Sequence, residues 1–239
     1  MGEALKDKVS IVVGSSSGMG RATAITFAEA GARVVLAARS SEKLETLAEE
    51  IGGEAVAFPT DVRDPDAVEV LIGTAVERFG RVDILVYATG TNIPDRSLEV
   101  ITNETWAMMI GTNLTGAFYC TKSVLPVMRK QQEGLIIYLS TGAVQSPDTS
   151  GVSYQASKQG LSGLAHGTRN EEMGNGIRTS VIFPGLCDTP LVLKRPVPTP
   201  KEVLDKALQP QDVADACLFV ASLPDRVRVP EMVLLPAGL

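Results

Sequence analysis

The chain has one histidine, His166, and three cysteines, Cys120, Cys187 and Cys217. With a single imidazole, neither a Ser/His hydrolase triad nor a His-cluster metal site can be assembled. His166 is therefore expected to be an ordinary, partly buried side chain. The three cysteines lie far apart, odd in number and without metal-ligand spacing. That pattern suits reduced thiols in a cytosolic enzyme better than a redox or metal role, and no metal is expected. No apolar run approaches the roughly 20 residues that cross a bilayer. The opening MGEALKDKVS lacks an apolar signal core, and Lys6 breaks the myristoylation pattern, so a soluble, cytoplasmic protein is expected. Basic residues are outnumbered, 22 to 28, for a formal net charge of −6. That balance argues against nonspecific binding to nucleic acid or an anionic membrane. Internal repeats and low-complexity linkers are also lacking.

What is present is a regular alternation. Short Val/Ile/Leu runs recur at 9–14, 32–38, 54–58, 82–88, 134–140, 177–183 and 230–236. Their near-continuous apolar character suits strands buried on both faces of a parallel sheet. Amphipathic stretches such as 41–51, 65–79 and 212–223 separate them. The 239 residues accommodate one large α/β domain, residues 1–239, better than two small ones. The predicted fold is a doubly wound, Rossmann-type parallel sheet of about seven strands. The one Pro-rich patch, Pro190 to Pro200, falls between the sixth strand and the last helix. It is placed to act as a substrate lid, at about 186–207.

The first strand runs into Gly14-Ser15-Ser16-Ser17-Gly18-Met19-Gly20 and then a helical segment. Glycines in such a turn let a pyrophosphate approach the backbone, and the following helix offers free N–H groups and its positive dipole end. The spacing is GxxxGxG, not GxGxxG, and a purely structural βα turn is the alternative. At the end of the second strand, an acidic residue would bind the adenosine ribose 2′-hydroxyl. Arg39 stands there instead, followed by Ser40. A guanidinium pairs with a 2′-phosphate in fork geometry, helped by the Ser40 or Ser15 hydroxyl, which favours NADP over NAD. An exposed Arg at a strand end is the bland alternative.

Tyr154 and Lys158 sit four residues apart at the start of a helical pattern, after a Gly/Ser/Pro/Asp loop (142–151). They share one helical face. A phenol titrates near 10 in water. A close ammonium and a positive nicotinamide ring are expected to draw Tyr154 toward the working range, making it an acid/base for an alcohol or a carbonyl. Taken alone, a YxxxK pair more often marks solvated helix surface.

The ordered set of motifs resembles the short-chain dehydrogenase/reductase family over essentially the whole chain. The set comprises Gly14xxxGly18xGly20, Asp61-Val62 after strand three, Gly90 after strand four, Asn113, a hydroxyl residue after strand five, Tyr154xxxLys158, and Pro184-Gly185 after strand six. The resemblance implies reversible hydride transfer between a nicotinamide and a small carbonyl or alcohol substrate. It casts Tyr154 as acid/base, Lys158 as also holding the nicotinamide ribose, and Asn113 as holding a relay water. It further puts Asp61 at the adenine and Thr189 at the carboxamide. The family's helper serine thirteen residues before the tyrosine corresponds to Thr141. Ser140 takes that role only if the loop is one residue longer. The family also implies a homotetramer or homodimer, with Gly160, Gly163 and Ala165 permitting close subunit approach. Trp106, Met108 and Met109 are expected in core or subunit packing.

Two stretches depart from the pattern. The family's Asn-Asn-Ala-Gly is Tyr87-Ala88-Thr89-Gly90 here, and Tyr138 replaces another asparagine. If strands four and five are neighbours, Tyr87 and Tyr138 are expected to pack together. The ending 229–236 resembles a branch of NADP-dependent 3-hydroxy-acid dehydrogenases; Lys194 and Arg195 would be able to pair with a substrate carboxylate, although two solvated lid charges are the favoured explanation. The alternatives at this level are a nicotinamide-dependent epimerase or dehydratase, and a non-catalytic nucleotide sensor.

Overall fold

The computed structural model describes residues 2–239. Seven strands form one parallel sheet: β1 (Val9–Val13), β2 (Arg33–Ala38), β3 (Val56–Pro59), β4 (Ile84–Tyr87), β5 (Gly134–Leu139), β6 (Ile177–Pro184) and β7 (Glu231–Leu234). Their spatial order is β3-β2-β1-β4-β5-β6-β7. The chain thus reverses direction between β1 and β4, and a crevice opens above the strand ends at that switch point. All seven strands and the doubly wound topology agree with the sequence reading. The ends shift by a residue or two, most visibly in β3, which starts at Val56 because Gly52 and Gly53 both turn with positive φ.

Strand parity builds the two cores. Ile11 and Val13 of β1, with Tyr87 and Tyr138, face the layer made by α3 (Pro65–Phe79), α5 (Gly116–Gln131) and α6 (Val152–Glu172). Val12, Val86 and Ile137 face the opposite layer, α1 (Gly18–Glu29), α2 (Ser41–Ile51) and α8 (Pro210–Ser222). Every residue of β1, β4, β5 and β6 is buried, which explains why those runs do not alternate. Only the edge strand β7 alternates between exposed and half-buried positions. Local signals set the helix ends. Asp64 accepts from the Asp66 N–H at 3.0 Å ahead of Pro65, and Gly80 closes α3 in the left-handed region.

One helix was not foreseen in its true form. α4 (Asn103–Ile110) runs directly into a π-helical turn, Gly111–Thr115, and then into α5. Within that turn the Gly116 N–H reaches back five residues to the Gly111 carbonyl. Such a turn widens the helix and releases the usual partner of one carbonyl. Asn113 sits in it, fully buried.

The proline-rich segment closes on itself at its neck. The Leu208 N–H donates to the Leu186 carbonyl at 2.9 Å, and the Asp188 N–H donates to the Leu208 carbonyl at 2.8 Å. The excursion between carries a 3-10 turn, Pro190–Lys194, and a single helical turn, α7 (Lys201–Leu204). Among the described residues no helix is long and apolar enough to cross a membrane.

Candidate functional site

The site grows from the turn after β1. The Gly14 N–H donates to the Ala37 carbonyl at 2.7 Å, and its φ of +96° is open to glycine and closed to most side chains. A Cβ there would sit 2.7 Å from the Thr89 backbone nitrogen. A Cβ on Gly20 would strike the Gly14 carbonyl, so the first turn of α1 presses against the turn that precedes it. α1 begins at Gly18, three residues before the helical pattern evident in the sequence, because these glycines join the helix itself. Neither Ser17 before α1 nor Ser40 before α2 uses its hydroxyl as a cap, so both helix starts lack a side-chain partner. Ser15 is buried behind the turn, its hydroxyl toward the Ala37 carbonyl.

A cleft of about 350 Å³ runs from these helix starts to the head of α6. Its walls include the glycine turn with Ser17 and Met19, Arg39 and Ser40, Asp61 and Val62, Gly90, Tyr154 with Lys158, and Thr189. Five site residues singled out from sequence do not line it: Ser15, Asn113, Thr141, Pro184 and Gly185. Gly185 instead donates to the Leu234 carbonyl at 2.7 Å, and its missing side chain makes room for Pro236. Lys43, on α2, lines the cleft beside Arg39 and was missed. A signal existed: a lysine three residues into a helix opposes the helix dipole. Arg39 is exposed and makes no ion pair among the described residues. Asp61 accepts instead from the Arg63 N–H at 3.0 Å and from its guanidinium, which holds the carboxyl below its ordinary range.

Tyr154 and Lys158 share the first turns of α6, and both are buried. The Lys158 ammonium donates to the Leu139 carbonyl at 2.8 Å and to the Thr89 carbonyl at 3.3 Å. It reaches them because Gly90 has no side chain: a Cβ there would lie 2.9 Å from Nζ. Burial pushes the ammonium down to about 8. Burial also pushes the Tyr154 phenol up to about 12, opposed by the Thr141 hydroxyl and by the charges of Arg195 and Arg96. This corrects the sequence expectation. Lys158 does not draw the phenol down, since its charge is spent on two backbone carbonyls and desolvation dominates both groups.

The neighbouring hydroxyls separate by position. Ser140 is buried and donates to the Lys158 carbonyl at 3.0 Å, tying β5 to α6. Thr141 accepts from the Ala143 N–H at 3.3 Å, and its hydroxyl opposes the rise of the Tyr154 phenol. Asn113 is a brace. Its amide oxygen accepts from the Thr91 N–H at 2.8 Å, and its amide nitrogen donates to the Thr91 carbonyl and the Ser157 hydroxyl, both at 3.0 Å. The π-turn is held from the sheet as well. Tyr87 donates its hydroxyl to the Thr112 carbonyl, and Gly116 leaves the space for that ring. Tyr87 and Tyr138 are register partners across β4 and β5, but their hydroxyls diverge, Tyr138 meeting Thr121 at 2.7 Å.

Several remaining residues have structural duties. Lys194 bonds the Thr91 hydroxyl at 3.0 Å and joins the lid to the β4 exit loop. His166 pairs with Glu231 of β7 at 2.9 Å, both half-exposed. The three cysteines are free and buried, and burial raises each thiol to about 12. No group of three His, Cys, Asp or Glu side chains is placed to hold a metal among the described residues. Met109 is core, whereas Trp106 is exposed on α4. The expectation for the small residues of α6 is corrected in two of three places. Gly160 makes room for Leu114 of the same chain, and Ala165 lies in the core; only Gly163 faces open space.

Comparison with known proteins agrees with this geometry. The model of the short chain dehydrogenase family matches residues 8–197. An uncharacterized oxidoreductase of Staphylococcus saprophyticus is 34% identical, with 98% of each chain covered. A relative from Staphylococcus aureus, also described as an uncharacterized oxidoreductase, is 33% identical over 97% of this chain and 98% of its own. Among solved structures, a metagenomic short-chain oxidoreductase in complex with NADP superposes with a TM-score of 0.85 at 30% identity, covering 98% of this chain and 99% of that one. A 3-ketoacyl-(acyl-carrier-protein) reductase from Brucella melitensis complexed with NADH gives 0.90 at 25% identity, covering 98% of both.

Proposed function

The chain belongs to the short-chain dehydrogenase family, and from that premise we propose an NADP-dependent oxidoreductase acting on a small carbonyl or alcohol, with Tyr154 as its acid/base. The observation that carries this reading is the single cleft joining a glycine-built, uncapped helix start to the buried Tyr154–Lys158 pair. The residues present fit a dinucleotide. Gly14 and Gly20 leave no room for side chains where a pyrophosphate would meet the backbone, and the helix start offers free N–H donors. Arg39, Lys43 and Ser40 line the end of the cleft where a ribose 2′-phosphate would lie, which supports NADP over NAD. Thr189 stands at the other side of the glycine turn, 3.3 Å from where a Gly18 Cβ would be, and suits the carboxamide role.

A bound nicotinamide supplies or takes up the hydride at the substrate carbon. The chain's own part is the proton. With its phenol raised to about 12, Tyr154 is protonated throughout the neutral range and donates to a carbonyl oxygen, turning C=O into CH–OH. In oxidation the same oxygen accepts the alcohol proton. Thr141 orients the substrate oxygen, because its hydroxyl reaches Tyr154 while that of Ser140 is committed to α6. Asn113 holds the β4 exit loop and the head of α6 in register, so its contribution is positional. Neutral small molecules and carboxylates both fall within this reading. A cytoplasmic homodimer or homotetramer is part of the same proposal.

The test follows nicotinamide absorbance while the protein is mixed with NADPH or NADH and a panel of aldehydes, ketones and oxo acids. Net oxidation is expected, faster with NADPH, and Tyr154→Phe should lower kcat by about 10²–10⁴-fold. Binding without turnover would favour a sensor. Product without net cofactor change would favour an isomerase.

A further inference from the structure

The lid is held to the body by very little. Between Asp188 and Leu208 no residue is buried, and Leu193 and Val197 are largely exposed. The backbone hydrogen bonds of residues 189–207 stay within that stretch, and so does the Arg195 bond to the Thr199 hydroxyl at 3.1 Å. Among the described residues, one hydrogen bond joins the stretch to the rest of the protein: Lys194 Nζ donates to Thr91 Oγ1 at 3.0 Å. A segment with so few buried contacts opens at low free-energy cost, so one bond can decide its position.

That bond lies across the cleft. The lid leaves β6, and its first residues settle on the glycine turn. A Cβ on Gly18 would lie 3.3 Å from Thr189 Cγ2 and 3.9 Å from Pro190 Cδ. In the sheet, β5 and β4 separate β6 from β1, so the lid has passed over both strand ends to reach that turn. Lys194, at the end of the 3-10 turn, then meets the loop that leaves β4. Leu191 and Lys194 line the cleft from the lid, and Gly90 and Thr91 line it from the β4 exit loop. The two walls are thus tied together by Lys194 and Thr91.

Thr91 is a firm point of attachment. Its N–H donates to the Asn113 amide oxygen at 2.8 Å, and its carbonyl accepts from the Asn113 amide nitrogen at 3.0 Å. The same amide nitrogen donates to the Ser157 hydroxyl at 3.0 Å, which donates to the Tyr154 carbonyl at 2.8 Å. The lid is therefore fastened to the brace that sets the head of α6. Because the brace holds Thr91 by its backbone, the hydroxyl is left free for Lys194.

We propose that Lys194 and Thr91 are the latch of the lid: while their bond holds, the lid confines a dinucleotide in the cleft, and its breaking is the opening step through which the cofactor leaves. This rests on the nicotinamide reading of the cleft and adds what governs release.

The experiment mixes NADPH-loaded protein with excess NADP and follows nicotinamide fluorescence for the rate of NADPH release. Lys194→Met keeps the stem and removes the donors; Thr91→Val keeps the backbone clasp and removes the acceptor. Each should speed release about fivefold, the scale of one hydrogen bond. The double variant should release NADPH no faster than either single one, because the same bond is lost in all three. Lys194→Arg and Thr91→Ser should keep most of the slow release. The association rate and Tm should match the parent's, which separates a latch from general loosening. Release unchanged in Lys194→Met, single effects that multiply in the double variant, or faster release accompanied by a fall in Tm would each overturn the latch and leave the oxidoreductase reading intact. If NADPH does not bind, the oxidoreductase reading falls, and the latch is judged by amide hydrogen exchange in the cofactor-free protein. Faster exchange confined to residues 186–207 in both single variants supports it; exchange equal to the parent's, or faster throughout the chain, overturns it.

Discussion

The two ends of the sheet treat charge in opposite ways. At the end where the strands begin, the buried acids Asp83 and Glu172 are matched by cations. Asp83 accepts from the Val9 N–H at 2.8 Å and from Arg81 Nε at 2.9 Å, with Lys8 at 3.7 Å, and Glu133 joins both cations. Arg129 pairs with Glu172, and Arg178 with Asp225 at 3.0 Å while bonding two backbone carbonyls. At the end where the strands finish, Arg39, Lys43, Arg96, Lys158, Lys194 and Arg195 have no carboxylate within ion-pair distance among the described residues, and Arg63–Asp61 is the exception. A fold stabilises itself by satisfying its charges. Leaving one edge unsatisfied, where the topology opens a crevice, marks that edge for anionic ligands.

Breaking the satisfied end should give the largest effect. Asp83→Ala strips the buried Val9 N–H and two cations of their acceptor. It should cost about 3 kcal/mol of stability and lower Tm by about 10 °C, read by denaturant and thermal unfolding. The cofactor KM at low temperature should not move. A variant as stable as the parent would show that the matched charges are ornament. At the open end, Arg39→Asp should change specificity and not stability. The ratio of kcat/KM for NADPH over NADH should fall by on the order of 100-fold, with Tm constant. An unchanged ratio would remove Arg39 from the 2′-phosphate site. The smallest effect sits between the ends, at the hydroxyl joining the sheet to the π-turn. Tyr87→Phe should cost about 1 kcal/mol, about 3 °C in Tm, and slow turnover about threefold by loosening Thr112 and Asn113. A slower rate without any change in Tm would assign Tyr87 a more direct part in the site.

Sequence reading served best where a signal is local. The seven strands show as apolar runs because both faces are buried, and the glycine turn shows because only glycine tolerates its φ and its contacts. Tyr154 and Lys158 were placed together by helical spacing alone. What depends on tertiary packing was hidden. Nothing between Gly111 and Thr115 announces a π-turn, which needs the Tyr87 hydroxyl from a distant strand. Helical spacing suggested an ammonium acting on the phenol. The fold instead turns Lys158 toward the Leu139 carbonyl, through space that Gly90 leaves. Gly160 looked like an interface residue until Leu114 filled its space.

In the proposed reaction the cleft lets a bound nicotinamide pass a hydride to an external substrate carbon while Tyr154 supplies the proton, and isotopic transfer tests this most directly. The protein is incubated with a reducible substrate and NADPH deuterated at C4 on the transferred face, each face being tried in turn. With one of the two labelled forms the isolated alcohol should carry deuterium at the former carbonyl carbon, one atom for each cofactor oxidised. Product free of deuterium with both forms, or cofactor bound and never oxidised, would contradict the account.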